Sequence, residues 1–307
     1  MARTRPPPVP ARAPALVNAL QASPLGRWSK ALLGIAPDKA LPALAREPFA
    51  RWAERHADGT DAHFLRLEPG GRALGTPVVL WADSVNAHYR PDILASAVRA
   101  LLAAGIPVAI ARSRFCCGRP LYEYGFLERA RAQLAAILDG FHAALPPDAQ
   151  VIVLEPSCLS VFRDELLRLF PDDERAADLA SRAMTLSSCL TAREVRPART
   201  LGRGVLHLHC HDKSLALPSD ERDWMRRCFD EIVEPENGCC GMAGTYGMRT
   251  RTRPIAQQLF ARRLAPAIAA EEAGTHVVAN GFSCREQIRD GSDRAALHPV
   301  EVIERCL

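Results

Sequence analysis

The sequence lacks several features that assign proteins to common classes. Its 307 residues contain no apolar run as long as the eighteen or so residues that a membrane-spanning helix needs. The N-terminal segment has arginines and prolines but no sustained apolar stretch of the kind found in signal peptides. Only three of the 39 basic residues are lysines, and the basic residues are spread along the chain, which argues against nucleic-acid binding. We therefore expect a globular, cytoplasmic protein that does not span a membrane, with peripheral association left open.

Two groups of cofactor motifs are also absent. No Gly-x-Gly-x-x-Gly run precedes a helix, so the sequence offers no dinucleotide-binding fingerprint. No Cys-x-x-Cys pair occurs, which argues against zinc ribbons and ferredoxin clusters. What is present is ten cysteines in a chain without an export signal. In a reducing compartment this number indicates metal, cluster or redox chemistry more than structural disulfides.

Most of the cysteines lie in a repeated pattern. The stretches "RFCCGRPLYEYG" (114–125) and "NGCCGMAGTYG" (237–247) share Cys-Cys-Gly, and each is followed by an apolar strand run that leads to a further cysteine. The matched positions are Cys116 and Cys117 with Cys239 and Cys240, Cys158 with Cys284, and Asp83 with Cys210. Two copies in comparable surroundings indicate an internal duplication. The three cysteines outside the pattern, Cys189, Cys228 and Cys306, are expected to pack in the core.

Apolar runs such as "TPVVLWAD" and "QVIVLEPSC" alternate with segments of helical periodicity, which is typical of parallel sheets covered by helices. The sequence therefore predicts an α/β fold of two tandem lobes with an irregular leader. We place the leader at 1–75, the first cysteine-rich lobe at 76–200 and the second at 201–307. The leader lacks the alternating pattern of a sheet, and we expect it to dock against the rest through Trp28 and Trp52.

In parallel α/β sheets, functional groups gather beyond the carboxyl ends of the strands, where each repeat places its cysteines. Adjacent cysteines serve one centre only if the backbone leaves the strand conformation, which Gly241, and Gly118 in the first copy, permit. The four thiols of the second copy, Cys210, Cys239, Cys240 and Cys284, are the ligand number of a [4Fe-4S] cluster or a structural zinc. His209 and His211 are interpreted as neighbours that tune these thiolates, with direct ligation as the alternative.

Together, "LHLHCHDKSL", "GCCGMAGTYG", "VVANGFSCREQI", "FCCGRPLYEYG" and "LEPSCLSVFRDEL" resemble the cysteine-rich CCG-domain proteins. These include the cysteine-rich subunit of heterodisulfide reductase and the iron–sulfur parts of FAD-linked 2-hydroxyacid oxidases, and the chain is similar to the C-terminal portion of the D-lactate or D-2-hydroxyglutarate dehydrogenase type. The resemblance implies a cluster that relays electrons, with FAD only in a partner flavoprotein. On this interpretation the chain is an oxidoreductase component rather than a self-sufficient enzyme.

The sequence departs from the family pattern in its first copy. Asp83 stands where the family has an opening cysteine, so that copy keeps only Cys116, Cys117 and Cys158, with Asp83 as an alternative ligand. We therefore expect the metal in the second copy, although one site shared between the lobes also fits the sequence. Two other functions remain open: a zinc-binding or metal-free scaffold that binds a partner, and a thiol–disulfide redox protein.

Overall fold

The protein is described here by a computed structural model that covers residues 14–71, 73–214, 220–236 and 238–307. The first thirteen residues of the predicted leader lie outside the described part. Within it, two mainly parallel sheets are flanked by helices, which confirms the predicted α/β fold.

The first sheet has six strands in the order β1-β2-β4-β3-β5-β6. The strands are β1 Gly59–Thr60, β2 Phe64–Leu67, β3 Val78–Trp81, β4 Val108–Ala111, β5 Val151–Val153 and β6 Ala183–Met184. The last four are parallel, and all four residues of β3 are buried because helices cover both faces of the sheet. β1 and β2 form a hairpin that pairs antiparallel with β4.

The second sheet has four parallel strands in the order β10-β9-β7-β8. The strands are β7 Arg203–His207, β8 Glu231–Val233, β9 His276–Ala279 and β10 Ala296–Leu297. In each sheet the first parallel strand along the chain lies between the second and the third, with the fourth beyond the third. This common order identifies the two sheets as copies of one plan.

Helices connect the strands of both sheets. In the leader and first lobe they are α1 Pro14–Ala22, α2 Pro24–Leu32, α3 Phe49–His56, α4 Ser84–Tyr89, α5 Pro91–Ala103, α6 Arg119–Glu123, α7 Leu127–Ala136, α8 Pro156–Ser160, α9 Leu166–Leu169, α10 Glu174–Arg182 and α11 Leu186–Ala192. In the second lobe they are α12 Cys210–Ser214, α13 Asp220–Cys228, α14 Arg253–Arg262, α15 Leu264–Ala269, α16 Phe282–Gly291 and α17 Pro299–Cys306. Segments Ile137–His142 and Val161–Glu165 continue α7 and α8 as π-helices.

The two lobes share a central core. Side chains of both sheets, such as Leu80 and Val278, join one apolar cluster with residues of α5, α11, α13 and α17. The buried indole N–H of Trp224 on α13 donates to the hydroxyl of Thr191 on α11, at 3.0 Å. Separate apolar clusters cover the outer face of each sheet. The lobes are therefore held together by a continuous apolar layer, so that their strand ends keep a constant relation.

The leader differs from its prediction in two respects. Residues 59–67 form the β1–β2 hairpin, so the expectation of no strand in this region is wrong. Trp28 is 64% exposed and anchors nothing, whereas Trp52 is partly buried and stacks on Phe49. The leader does dock on the second lobe, because the backbone N–H of Ala36 donates to the carbonyl of Met248 and Lys39 pairs with Asp290 at 3.1 Å.

Candidate metal centre

The four cysteines of the second copy meet at the carboxyl ends of three neighbouring strands, β8, β7 and β9. Cys210 begins α12 after β7, and Cys284 is the third residue of α16 after β9. Cys239 and Cys240 lie in the loop that follows β8. Because the three strands are parallel and adjacent, their following loops converge although they are far apart in sequence.

These four thiols form a continuous chain of hydrogen-bonding contacts. Cys210 contacts Cys239, Cys239 contacts Cys240, and Cys240 contacts Cys284. A ring nitrogen of His207 and the sulfurs of Cys240 and Cys284 all lie within 4.8 Å of one another. A second group of donors within 4.8 Å of one another consists of the Cys210 sulfur and ring nitrogens of His209 and His211. The contacts of Cys239 link the two groups, so together the four thiols offer the donor number of one cluster.

The four thiols linked in this way differ in acidity. Hydrogen bonds donated by Cys210 and then Cys240 lower the pKa of Cys239 to about 2, helped by the backbone N–H of Gly241 at 3.3 Å from its sulfur. The same Cys240 thiol also contacts Cys284 and shares its one proton between the two sulfurs, which holds the pKa of Cys284 well below its usual value in spite of burial. The pKa values of Cys210 and Cys240 are raised for the same reason, since they donate. Two of the four sulfurs are therefore favoured as thiolates, the form that binds metal.

Gly241 allows both neighbouring cysteines to reach this site. Its φ is +95°, and a β-carbon there would lie 2.2 Å from the carbonyl oxygen of Ala256 on α14. The left-handed turn takes the backbone out of the strand conformation, in which Cys239 and Cys240 would face opposite sides. A glycine is thus required both by the turn and by the packing of α14.

Three histidines surround the thiols. Nδ1 of His209 accepts the backbone N–H of His211 at 3.1 Å and lies 3.9 Å from the sulfur of Cys210. Burial, followed by the nearby His209 and Arg119, lowers the pKa of His211 to about 4, which keeps this ring neutral. The occupied Nδ1 of His209 favours a tuning role for this residue over ligation, which stays a prediction.

The first copy brings its three cysteines together in the same way. The sulfurs of Cys117 and Cys158 are 2.9 Å apart, and Cys116 contacts Cys117. Although the hydrogen bond from Cys117 lowers it, burial and the nearby carboxylates of Asp83 and Glu155 raise the pKa of Cys158 to about 11. The pKa values of Cys116 and Cys117 are also raised. The first copy therefore keeps its thiols protonated, whereas the second favours two thiolates.

The strand registers correct one match between the copies. Trp81 of β3 pairs with Val153, five residues before Cys158, and His207 of β7 pairs with Ala279, five residues before Cys284. Counting onward from these pairs, Asp83 corresponds to His209 and Ser84 corresponds to Cys210. The match of Asp83 with Cys210 is therefore wrong by one residue.

The contacts of the two first-copy residues agree with the corrected match. Ser84 hydrogen-bonds to Cys116, as Cys210 does to Cys239. Asp83 instead caps α4: its Oδ1 accepts the backbone N–H groups of Val85 and Asn86 at 3.1 and 2.8 Å, and its Oδ2 accepts the Asn86 side chain at 2.8 Å. When "VLWADS" is aligned with "VLHLHC", Ser84 stands opposite Cys210, so the sequence contains this correspondence although the spacing of the cysteines did not reveal it.

The two cysteine sets are neighbours across the lobe interface but remain separate. The guanidinium of Arg119, directly after Gly118, lies 3.2 Å from the His211 ring and donates to the hydroxyl of Ser160 at 3.2 Å. In the described ranges, thiol–thiol hydrogen bonds join cysteines only within one lobe. The geometry thus favours two adjacent sites over one site that draws on both sets.

A buried polar network fixes the helix that carries Cys284. Arg285 donates to the carbonyls of Ala279 and Asn280 at 3.1 and 2.6 Å and to Oδ1 of Asn86 in the other lobe at 3.2 Å. Glu155 of the first lobe accepts the backbone N–H of Phe282 at 3.0 Å. The first lobe therefore positions a candidate ligand of the second. Sequence patterns did not reveal this network, because its members are distant along the chain.

Gly281 is a second residue that sequence reasoning missed. A β-carbon at this position would lie 2.3 Å from Cδ2 of His209 and 3.3 Å from the sulfur of Cys284. The signal was present in "NGFSC", where the glycine directly precedes α16. The remaining cysteines, Cys189, Cys228 and Cys306, are fully buried as expected.

In the comparison with known proteins, one family model matches both cysteine-rich copies. The sequence profile described as the CCG cysteine-rich domain matches residues 84–163 and 219–289. Both cysteine-rich copies are therefore similar to the CCG domain. This confirms the resemblance drawn from the cysteine motifs, and the matched ranges contain every cysteine of the two CCG-domain thiol sets except Cys210, which lies just outside the second range.

Three relatives show how the pair of CCG domains is used elsewhere. D-2-hydroxyglutarate dehydrogenase of Pseudomonas putida is 28% identical over 96% of this chain, which spans 29% of that protein. A component of the anaerobic glycerol-3-phosphate dehydrogenase of Escherichia coli is 24% identical over 96% of this chain and 72% of its own length. The glycolate oxidase iron-sulfur subunit of Escherichia coli is 26% identical over 71% of this chain and 54% of its own. Regions similar to this chain thus occur both within a longer chain and in separate subunits.

The helices provide one further constraint. Across residues 14–71, 73–214, 220–236 and 238–307, no helix has the length and apolar character needed to traverse a lipid bilayer.

Proposed function

We propose that the chain is an iron–sulfur electron-transfer component that works with an FAD-linked 2-hydroxyacid dehydrogenase. The observation that carries the proposal is the chain of four hydrogen-bonded thiols at the strand ends of the second CCG domain, two of them with lowered pKa values. A relative described as an iron-sulfur subunit supports iron rather than zinc. A cytoplasmic location belongs to the same proposal, since ten cysteines suit a reducing compartment.

The residues present fit a [4Fe-4S] cluster, which would supply one-electron transfer. Cys210, Cys239, Cys240 and Cys284 provide the four thiolates that such a cluster requires. Cys240 and Cys284 are buried at 3% and 1% exposure, whereas Cys210 and Cys239 are half-buried. The domain therefore excludes water from one side of the site and leaves the Cys210–Cys239 side nearer the surface.

The surrounding residues hold the sulfurs in place and set their charge. The backbone N–H of Gly241 and the nearby ring of His209 stabilise negative charge on Cys239. Arg285, fully buried beside Cys284, adds positive charge and fixes the start of α16 through its contacts with the strand-end carbonyls. Hydrogen bonds and charge near the sulfurs are the means by which a protein sets a cluster's potential.

The test is metal analysis of the full chain purified and reconstituted without oxygen. We expect about four irons and about four acid-labile sulfides per chain, and an EPR signal after reduction with dithionite. One equivalent of zinc in a colourless protein would instead support the scaffold function. Loss of two thiols per lobe on mild oxidation of a metal-free protein would support thiol–disulfide chemistry.

The flavoprotein partner is proposed to bind at the α1–α2 face, defined as the exposed apolar side chains of the first two helices and the residue that follows them. These are Leu16, Leu20, Leu25, Trp28, Leu32 and Leu33, each between 50% and 74% exposed. An apolar group of this size on a surface is typical of a protein-binding site. α2 leads directly to Ile35, which pairs with Arg249, and the carbonyl of Gly34 accepts the N–H of Thr250 at 3.0 Å. The end of α2 thus adjoins residues 248–250, which follow the Cys239–Cys240 turn in sequence.

The length of the relatives supports a dehydrogenase as the partner. In the dehydrogenase of Pseudomonas putida the matched region is 29% of one long chain, so most of that protein is covalently joined to it. In the present chain the α1–α2 face would receive a separate dehydrogenase of the same class.

Polar substitution of this face is expected to slow electron transfer. The rate to be measured is that of cluster reduction by an FAD-linked dehydrogenase of the same organism, supplied with its 2-hydroxyacid. At low partner concentration, the double variant Trp28→Gln/Leu32→Gln should lower this rate by about tenfold or more. Iron content should not change, since both side chains are exposed. Leu74→Gln is the matched control, because Leu74 is 52% exposed and pairs with Gly105, before β4, at the opposite ends of the strands. An unchanged rate in the double variant would refute this binding face and leave the cluster assignment intact.

A further inference from the structure

A cavity of about 620 Å³ lies in the first lobe, outside the thiol sets. It is an open cleft between α3 of the leader and the carboxyl ends of β3 and β4. The volume is within the range of cavities that hold small organic molecules. The ends of parallel strands are also where α/β folds bind ligands, so both size and position indicate a binding site.

Apolar side chains form part of the lining of this cavity. Phe49 of α3, Leu80 of β3 and Ile110 of β4 form its inner wall, and Phe115 and Phe141 pack edge to face with ring centroids 5.8 Å apart on another side. Phe115 directly precedes Cys116. These side chains offer a ligand an apolar surface of aromatic and branched groups.

The same cavity carries a group of hydrogen-bond donors. Arg112 and Arg114, just after β4, line it together with His88 and Ser84 of α4. The guanidinium of Arg112 donates to the carbonyl of Asp61 at 3.0 Å through one nitrogen. Arg114 is exposed at the edge of the cavity and forms no ion pair among the described residues. Burial and then the charge of Arg114 lower the pKa of His88, so this ring is neutral and adds no charge.

We infer that the cavity binds a small organic carboxylate with an apolar body. The apolar part would lie against Phe115, Leu65 and Ala50, which line the cavity and are partly exposed, and the carboxylate would face Arg114 and Arg112. Glu54 is the single acidic residue that lines the cavity, so two guanidinium groups and one carboxylate leave one positive charge. A single carboxylate matches this charge better than a doubly charged phosphate.

This inference does not rest on the proposed cluster. The cavity belongs to the first lobe, and its contact with the cysteines is through Ser84, which lines it and hydrogen-bonds to Cys116. Binding is therefore expected in the metal-free chain as well as in the reconstituted protein.

The test is isothermal titration of the full chain with 3-phenylpropanoate and with 3-phenylpropanamide, its uncharged counterpart. The carboxylate should bind at least tenfold more tightly than the amide, since a hydrogen bond to a charged group contributes about 1.5–3 kcal/mol. Arg114→Gln should remove most of that difference and leave amide binding unchanged. Ala50→Phe, which places a large side chain on the cavity wall, should weaken both ligands.

Arg51→Gln is the control. Arg51 is an exposed arginine on α3, the helix that also carries Ala50, but Arg51 does not line the cavity. It should bind both probes as the unmodified chain does. Circular dichroism of each variant shows whether the fold is retained. Equal affinities for the carboxylate and the amide, undiminished carboxylate binding by Arg114→Gln, or no binding of either probe at millimolar concentration would each overturn the inference.

Discussion

Replacing Cys240 by serine is expected to remove most of the iron from the reconstituted protein, whereas replacing Cys117 by serine is expected to leave the iron content unchanged. The two cysteines hold equivalent positions in the two Cys-Cys-Gly loops and are similarly buried, at 3% and 4% exposure. Their surroundings differ. Cys240 contacts both Cys239 and Cys284, whose pKa values are lowered, while Cys117 contacts thiols whose pKa values are raised.

The physical reason is the charge around each set. Histidines at 207 and 209 stabilise thiolate in the second domain, whereas the buried carboxylates of Asp83 and Glu155 disfavour it in the first. A serine hydroxyl does not ionise near neutral pH, so Cys240→Ser interrupts the ligand set at its centre. Iron and sulfide analysis should show a loss of about tenfold or more for this variant.

Circular dichroism of both variants serves as the folding control. If Cys117→Ser lost as much iron as Cys240→Ser while both remained folded, the first domain would also hold metal. If neither lost iron, the assignment of the cluster to the second domain would be wrong.

Replacing Gly241 by alanine is expected to destabilise the protein by about 3 kcal/mol or more and to lower its iron content, whereas Gly118→Ala should cost about 1–2 kcal/mol. Both glycines have positive φ, +95° and +77°, so both variants carry the cost of a left-handed backbone. Only at 241 does the new β-carbon meet backbone, 2.2 Å from the carbonyl oxygen of Ala256. At 118 its nearest neighbour is the flexible Gln133 side chain at 3.7 Å.

Urea titration of the metal-free chains measures the difference in free energy of unfolding, and iron analysis after reconstitution measures the effect on the site. Relief of the clash at 241 requires the loop to move away from α14, which displaces Cys239 and Cys240. Equal destabilisation by the two variants would show that the close approach to Ala256 does not constrain the loop.

Much of the fold was accessible from the sequence because its signals are local. Continuous apolar runs such as Val78–Trp81 predicted strands that are buried on both faces, and the repeated Cys-Cys-Gly predicted the duplication. The β1–β2 hairpin was missed because two short segments, of two and four residues, carry too few alternations to be distinguished from loop. The exposure of Trp28 was missed because an apolar side chain does not by itself show whether the protein or a partner covers it.

The candidate site was predicted to the level of its cysteines. The sequence by itself determined that cysteines follow strands in two copies, because a thiol beyond a strand end is a local pattern. Only the tertiary structure showed that Ser84 corresponds to Cys210, since strand register depends on hydrogen bonds to a distant strand. It also decided which thiols are acidic, because the histidines, carboxylates and N–H groups that set thiol charge come from separate elements and act through short distances in space.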